Sequence, residues 1–239
     1  MTGRWLLRKP SIDASARVFC FPYSGMGASM FSRWPRSLGD IDICLIQPPG
    51  RENRSREPHF GDYASFASAV LDHLEPYLDV PFAFFGHCAG ALPAFETAHE
   101  LAARGLPTPS RLFVSAQVAP HDCPHDRFLD LTDAELKAEL ENLAVLRGGS
   151  PHPALIELAL EVLHQDLEVN RVYQRSAPVS TPSPITVLHW SDDVEVTATQ
   201  LEGWKDYSAT TDFVTLPGGH YEFLAAPDAL LTLLSSALT

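Results

Sequence analysis

The run Phe82-Ala83-Phe84-Phe85-Gly86-His87-Cys88-Ala89-Gly90 decides how this chain reads. Apolar strand formers from Phe82 to Phe85 stop at Gly86. A helical pattern opens at Ala91 and continues to Arg104. Gly86 and Gly90 bracket Cys88 at the spacing of a nucleophile held on a sharp strand-to-helix turn. At such a turn, side chains on the bracketing positions would collide with neighbouring backbone. Cys88 then stands at a helix N-terminus, where unpaired N–H groups and the helix dipole favour negative charge. That placement predicts a lowered thiol pKa and a reactive thiolate. The five residues alone are a common pattern; their place between a strand and a helix carries the reading.

Outward from this stretch, short apolar runs alternate with helical segments. Arg17–Pro22, Ile41–Ile46, Arg111–Ser115, Ile185–His189 and Asp212–Leu216 read as further strands. Tyr63–Leu78, Ala91–Arg104 and Ala229–Leu238 read as helices. Continuous apolar strands alternating with helices predict an α/β fold: a mostly parallel, doubly wound sheet covered on both faces. From His121 to about Gln174 no strand pattern is found. Thr132 or Asp133 can cap a helix there, with Glu135 three residues after Thr132. Gly148-Gly149-Ser150-Pro151 ends that helix. A second one follows through Leu155, Leu158, Ala159, Val162, Leu163 and Leu167. A helical insertion over 121–175, able to act as a lid, is expected within a single domain spanning 1–239.

The composition bounds the function. A formal net charge of -13 repels phosphate backbones, so nucleic acid is not an expected partner. No apolar run approaches the roughly 18 residues of a membrane helix. The apolar core of Met1–Pro10 is only Trp5-Leu6-Leu7, too short for a secretory signal, so a cytoplasmic protein is expected. The four cysteines, Cys20, Cys44, Cys88 and Cys123, show neither CxxC pairing nor metal spacing, so neither disulfides nor a metal centre is expected. His121 and His125 beside Asp122 and Asp126 read as a solvated loop, because no helix imposes ligand geometry there. Cys20 and Cys44 read as strand residues. His87 reads as a packing residue beside the turn.

A nucleophile needs a base, and the ten histidines must be sorted by position. In the α/β-hydrolase arrangement the order along the chain is nucleophile, acid, histidine. Gly218-Gly219-His220 follows the last strand, where the histidine belongs. Asp192 and Asp193 follow Ile185–His189, where the acid belongs.

With these elements in order, the chain resembles the type II thioesterases that accompany polyketide synthases and nonribosomal peptide synthetases. Phe21-Pro22-Tyr23-Ser24-Gly25 looks like the family's first loop, and Trp34 follows at the family's spacing. Pro49-Gly50-Arg51 with Arg54 is similar to its PGRxxR segment. Leu163-His164-Gln165-Asp166 resembles its lid-helix motif. Val196-Thr197 and Trp204 resemble its acid loop, and Leu216–His220 its histidine loop. The resemblance implies an α/β-hydrolase fold and selects Asp193 over Asp192 as the acid. It implies a Cys88–His220–Asp193 triad, with an oxyanion hole made by the N–H groups of Ser24 and Ala89. It further implies an acyl or peptidyl carrier protein as partner, with the substrate on its phosphopantetheine, no cofactor on the enzyme itself, and a monomer. The arginines Arg33, Arg36, Arg51, Arg54 and Arg56 would then offer acidic carriers a basic patch.

The chain departs from the family pattern at Cys88 for serine, Ala89 for a larger apolar residue and Met26 for glycine. A cysteine introduced to trap an acyl-enzyme would read the same way. With cysteine, a thioester becomes another thioester, so the acyl group stays activated. The expected function is hydrolysis of acyl or aminoacyl thioesters through acyl-Cys88. The alternatives are an acyltransferase that shuttles such groups between carriers, and a non-catalytic carrier-binding scaffold.

Overall fold

The structure is a computed structural model and describes residues 5–238. Met1–Arg4, which belong to the segment read as too short for a secretory signal, and Thr239, the end of the expected domain, lie outside the described residues. A seven-stranded sheet has the order β2-β3-β1-β4-β5-β6-β7. The strands are β1 (Ala16–Phe21), β2 (Ser37–Leu38), β3 (Ile41–Leu45), β4 (Phe82–His87), β5 (Arg111–Ser115), β6 (Ile185–Trp190) and β7 (Thr211–Leu216). Every pairing is parallel except that of the short β2 with β3. The helices are α1 (Tyr63–Leu74), α2 (Ala91–Ala103), α3 (Asp133–Leu146), α4 (Pro153–Val172) and α5 (Asp228–Ser236).

Alternation along the strands divides the core in two. On β4, Phe82 and Phe84 point into a cluster with α1 and α2, whose members include Phe66, Leu71, Leu92 and Phe95. Ala83 and Phe85 point into the opposite cluster with α3, α4 and α5, including Leu140, Leu160, Leu163 and Leu230. Both faces are covered, as the continuously apolar strands required. The fold is the expected α/β-hydrolase type. Among the described residues no helix is long and apolar enough to cross a membrane.

From β1 the chain moves outward to β3 and then returns to place β4 on the other side of β1. The loops after β1 and β4 therefore diverge at a topological switch point, outside the carboxyl ends of the strands, where open α/β sheets form their crevice.

Several boundaries differ from the sequence reading. The helix expected over Tyr63–Leu78 ends at Leu74, and Pro76 sits in a short 3-10 turn that follows. Between the elbow and α2 lies a 3-10 turn, Cys88–Gly90. The cap of α3 is Thr132 rather than Asp133: Glu135 N–H donates to Thr132 Oγ1, and the Glu135 carboxylate accepts from Thr132 N–H at 2.8 Å. On α4 the buried stripe is rotated from the expected one. Leu155 and Leu158 are exposed, while Ile156, Leu160, Leu163, Asp166, Leu167 and Asn170 face inward. The apolar residues alone misplace this face because two of its positions are polar.

Candidate active site

Cys88 is held at φ 49°, the left-handed region that a cysteine rarely adopts. The glycines around it are a steric necessity. A Cβ on Gly86 would stand 2.3 Å from the Gly90 carbonyl oxygen, and one on Gly90 would stand 2.7 Å from that of Phe21. The Gly86→Ala substitution is therefore expected to cost more than about 4 kcal/mol, the range reached only by severe strain or overpacking. Chemical denaturation of the purified variant checks this.

At the end of β7, Gly218 takes φ +116° and delivers His220 to the site. His220 Nδ1 lies 2.9 Å from Asp193 Oδ2. The Asp193 side chain is fully covered, and its Oδ1 accepts from the N–H groups of Glu195 at 2.8 Å and Val196 at 3.1 Å. Burial pushes this carboxyl up, but the bonds from His220 and the two N–H groups outweigh it and hold its pKa below the usual range. An ionised Asp193 fixes the proton on His220 Nδ1 and leaves Nε2 as the basic nitrogen. Asp192, the other candidate acid, is exposed.

Nε2 does not meet the thiol in this state. Among the described residues Cys88 Sγ makes no hydrogen bond to His220, whose Nε2 stands 3.5 Å from Glu195 Oε2. Catalytic hydrogen bonds are often long before substrate binds. Cys88 is 8% exposed and His220 7%, so both are nearly sealed.

The expected low thiol pKa is not what this environment gives. Burial pushes the Cys88 thiol well above the ordinary value, and the nearby charges of Asp126, Glu195 and Asp193 push the same way. The Ala89 N–H pulls in the opposite direction, as a helix start should, but loses to desolvation. In the free protein the Cys88 thiol stays protonated. Iodoacetamide labelling of Cys88 in the free protein should therefore be slow near neutrality and climb steadily above pH 9, without a plateau between pH 6 and pH 8. Quantifying the labelled Cys88 peptide across pH checks this.

The first loop is fixed from the far side by α4. Asp166 is covered, accepts from Gly25 N–H at 2.7 Å, and takes a bidentate bond from Arg51 at 2.7 and 2.8 Å. His59 Nε2 is 2.7 Å away. Asn170 Nδ2 reaches Ser24 Oγ at 2.9 Å and Asp126 Oδ2 at 3.0 Å, while its Oδ1 accepts from the Tyr63 hydroxyl. The Ser24 N–H, one of the two expected oxyanion donors, finds no acceptor among the described residues. A groove of about 510 Å³ runs between Gly25–Gly27, Arg51 and the outer residues of α4, with Met26 in its wall.

The arginine patch dissolves in this arrangement. Arg51 and Arg54 are buried in ion pairs with Asp166 and Glu57, leaving Arg33, Arg36 and Arg56 exposed. Asp126 also leaves its assigned role. It is not in a solvated loop but faces Asn170, beside the site. His87 packs as expected: its ring stacks on Phe223 at 3.9 Å, and its Nδ1 lies 2.9 Å from Ser115 Oγ.

A thioesterase-domain model matches residues 16–238. The chain belongs to the thioesterase family. It is 33% identical to the gramicidin S biosynthesis protein GrsT of Aneurinibacillus migulanus, over 87% of this chain and 83% of that one. Among solved structures, it is similar to the RedJ thioesterase from the prodiginine pathway of Streptomyces coelicolor, with a TM-score of 0.80 and 32% identity over 94% and 91% of the two chains. The type II thioesterase BorB from the borrelidin biosynthetic cluster superposes over 100% of this chain and 99% of its own, with a TM-score of 0.82 and 26% identity. The two solved thioesterases thus share the fold of this one over at least 94% of its length.

Sequence reasoning gave neither Glu195 nor Asp126 a place in this site, and it named Asp126 only as part of a solvated loop. Glu195 could have been suspected from its place two residues after Asp193. Asp126 caps the 3-10 turn Arg127–Asp130 and meets Asn170 of α4, a contact that no local sequence signal foretells.

Proposed function

We propose that this protein releases acyl or aminoacyl groups from phosphopantetheine thioesters on carrier proteins through an acyl-Cys88 intermediate. One observation carries the reading: a buried, ionised Asp193 bonded to His220 Nδ1, beside a cysteine held on a left-handed elbow.

On substrate entry, His220 Nε2 turns from Glu195 to the thiol and takes its proton as Sγ bonds to the carbonyl carbon. The developing oxyanion is met by the N–H groups of Ser24 and Ala89; each such donor contributes about 3 kcal/mol in comparable sites. The carbon–sulfur bond to the carrier breaks, and the carrier thiol leaves with the proton from His220. Water then gives a proton to His220 and attacks acyl-Cys88, which releases the acid and regenerates the thiol.

A second reading, acyl transfer to another carrier thiol, is favoured by the nearly sealed site. A thioester kept from water remains activated, so a second thiol can take the acyl group. Incubation with a loaded carrier and a second, empty carrier separates the two by mass spectrometry. Free acid marks hydrolysis, and label on the second carrier marks transfer. Neither product, with Cys88 unmodified, would favour a carrier-binding scaffold and overturn the proposal.

A further inference from the structure

Asn170 stands on the inward face of α4, one turn after Asp166, and is 3% exposed. A leucine there would pack without needing partners, whereas a buried amide is costly unless its polar atoms are bonded. Here they all are. Its Nδ2 donates to Ser24 Oγ at 2.9 Å and to Asp126 Oδ2 at 3.0 Å, and its Oδ1 accepts from the Tyr63 hydroxyl. The amide has two donor hydrogens, and both are used. Turned over, it would set its oxygen against the Asp126 carboxylate, so only one orientation fits.

The group that Asn170 grips is the side chain of Ser24, itself buried. The peptide after Ser24 is gripped as well, through the Gly25 N–H on Asp166 at 2.7 Å. These two holds fix the residue at its side chain and at the following peptide. They leave its own N–H without an acceptor among the described residues. An oxyanion donor needs this combination: a free hydrogen on a backbone that cannot turn away. Asn170 is in turn kept in place from two distant segments, since Tyr63 opens α1 and Asp126 caps the turn Arg127–Asp130.

We infer that Asn170 is a positioning residue for the oxyanion hole, acting through the Ser24 hydroxyl. The inference rests on the thioesterase reading above. It gives the helical insertion a second task. The helix that covers the site also assembles it, and the hole is complete only while α4 is seated on the first loop.

The test sets two reactions of Cys88 side by side at pH 8. Acylation by the acetyl thioester of N-acetylcysteamine builds an oxyanion; alkylation by iodoacetamide builds none. Both are followed by mass spectrometry in the wild type, Asn170→Ala, Ser24→Ala and the double variant, with folding checked by circular dichroism. Ser24→Ala removes the hydroxyl and keeps the N–H. Acylation is expected to fall about ten- to a hundredfold in each single variant, as for a reacting group displaced by about an ångström. Alkylation should change less than about threefold. The double variant should be no slower than the worse single one, because both changes break the same bond. Wild-type acylation in either single variant overturns the inference. So does alkylation that falls as far as acylation, or losses that multiply in the double variant. If Asn170→Ala does not fold, Ser24→Ala decides by the same comparison of acylation with alkylation. A wild-type protein that is never acylated on Cys88 overturns the thioesterase reading and the inference with it; every other outcome leaves that reading standing.

Discussion

His220→Ala is expected to lose roughly a thousandfold in thioester turnover, the middle of the range for removing a positioned base. The neutral resting thiol is the reason. Were Cys88 a thiolate in the free protein, the histidine would matter chiefly in later steps. Burial and three carboxylates keep the proton on sulfur, so in the proposed mechanism attack is coupled to proton removal by His220 Nε2, with Asp193 bonded to the Nδ1 side of the ring. Raising the pH should restore part of the lost rate, because hydroxide can replace the base for a thiol but cannot replace the orientation. Stopped assays of thiol release from pH 7 to pH 10 measure both effects. A variant with the wild-type rate at pH 7 would remove His220 from the mechanism.

Asp166→Ala should carry the largest stability cost of any single side-chain truncation outside the apolar core, about 3–5 kcal/mol. The carboxylate is 5% exposed and its partner Arg51 is 4% exposed, so its loss strands a buried guanidinium. The Gly25 N–H and His59 lose their acceptor as well. Burial raises this carboxyl's pKa, but Arg51 and His59 more than reverse that and hold it below the usual range. The sign follows: the stabilisation is complete above the unfolded carboxyl value near 4 and is lost as pH falls through the lower folded one. Urea melts of wild type and variant should therefore differ most at pH 6–7 and converge in acid. Turnover should fall too, since Gly25 follows Ser24, the proposed oxyanion donor.

The legible part of this protein was its local part. Gly86 and Gly90 announced the elbow because backbone contact at 2.3–2.7 Å excludes any side chain there. The strands announced themselves because both sheet faces are covered. Chain order pointed to His220 and narrowed the acid to Asp192 or Asp193, and the family resemblance selected Asp193. Three features depended on distant partners and were not legible. The direction of the Cys88 pKa shift is set first by burial and then by carboxylates from segments far along the chain, neither of which a helix-terminus argument contains. The inward face of α4 includes Asp166 and Asn170, which an apolar pattern discards although both serve the first loop. Arg51 and Arg54 looked like surface charge in the sequence, yet their acceptors lie within the fold.

The central claim is that Cys88 takes the acyl group. Intact-mass spectrometry of the protein mixed with an acyl-loaded carrier protein tests it most directly. The account predicts a mass increase equal to the acyl group, mapped to the peptide containing Cys88 and absent from Cys88→Ala. Release of free acid by Cys88→Ala at the wild-type rate, with no adduct on the wild-type protein, would contradict it.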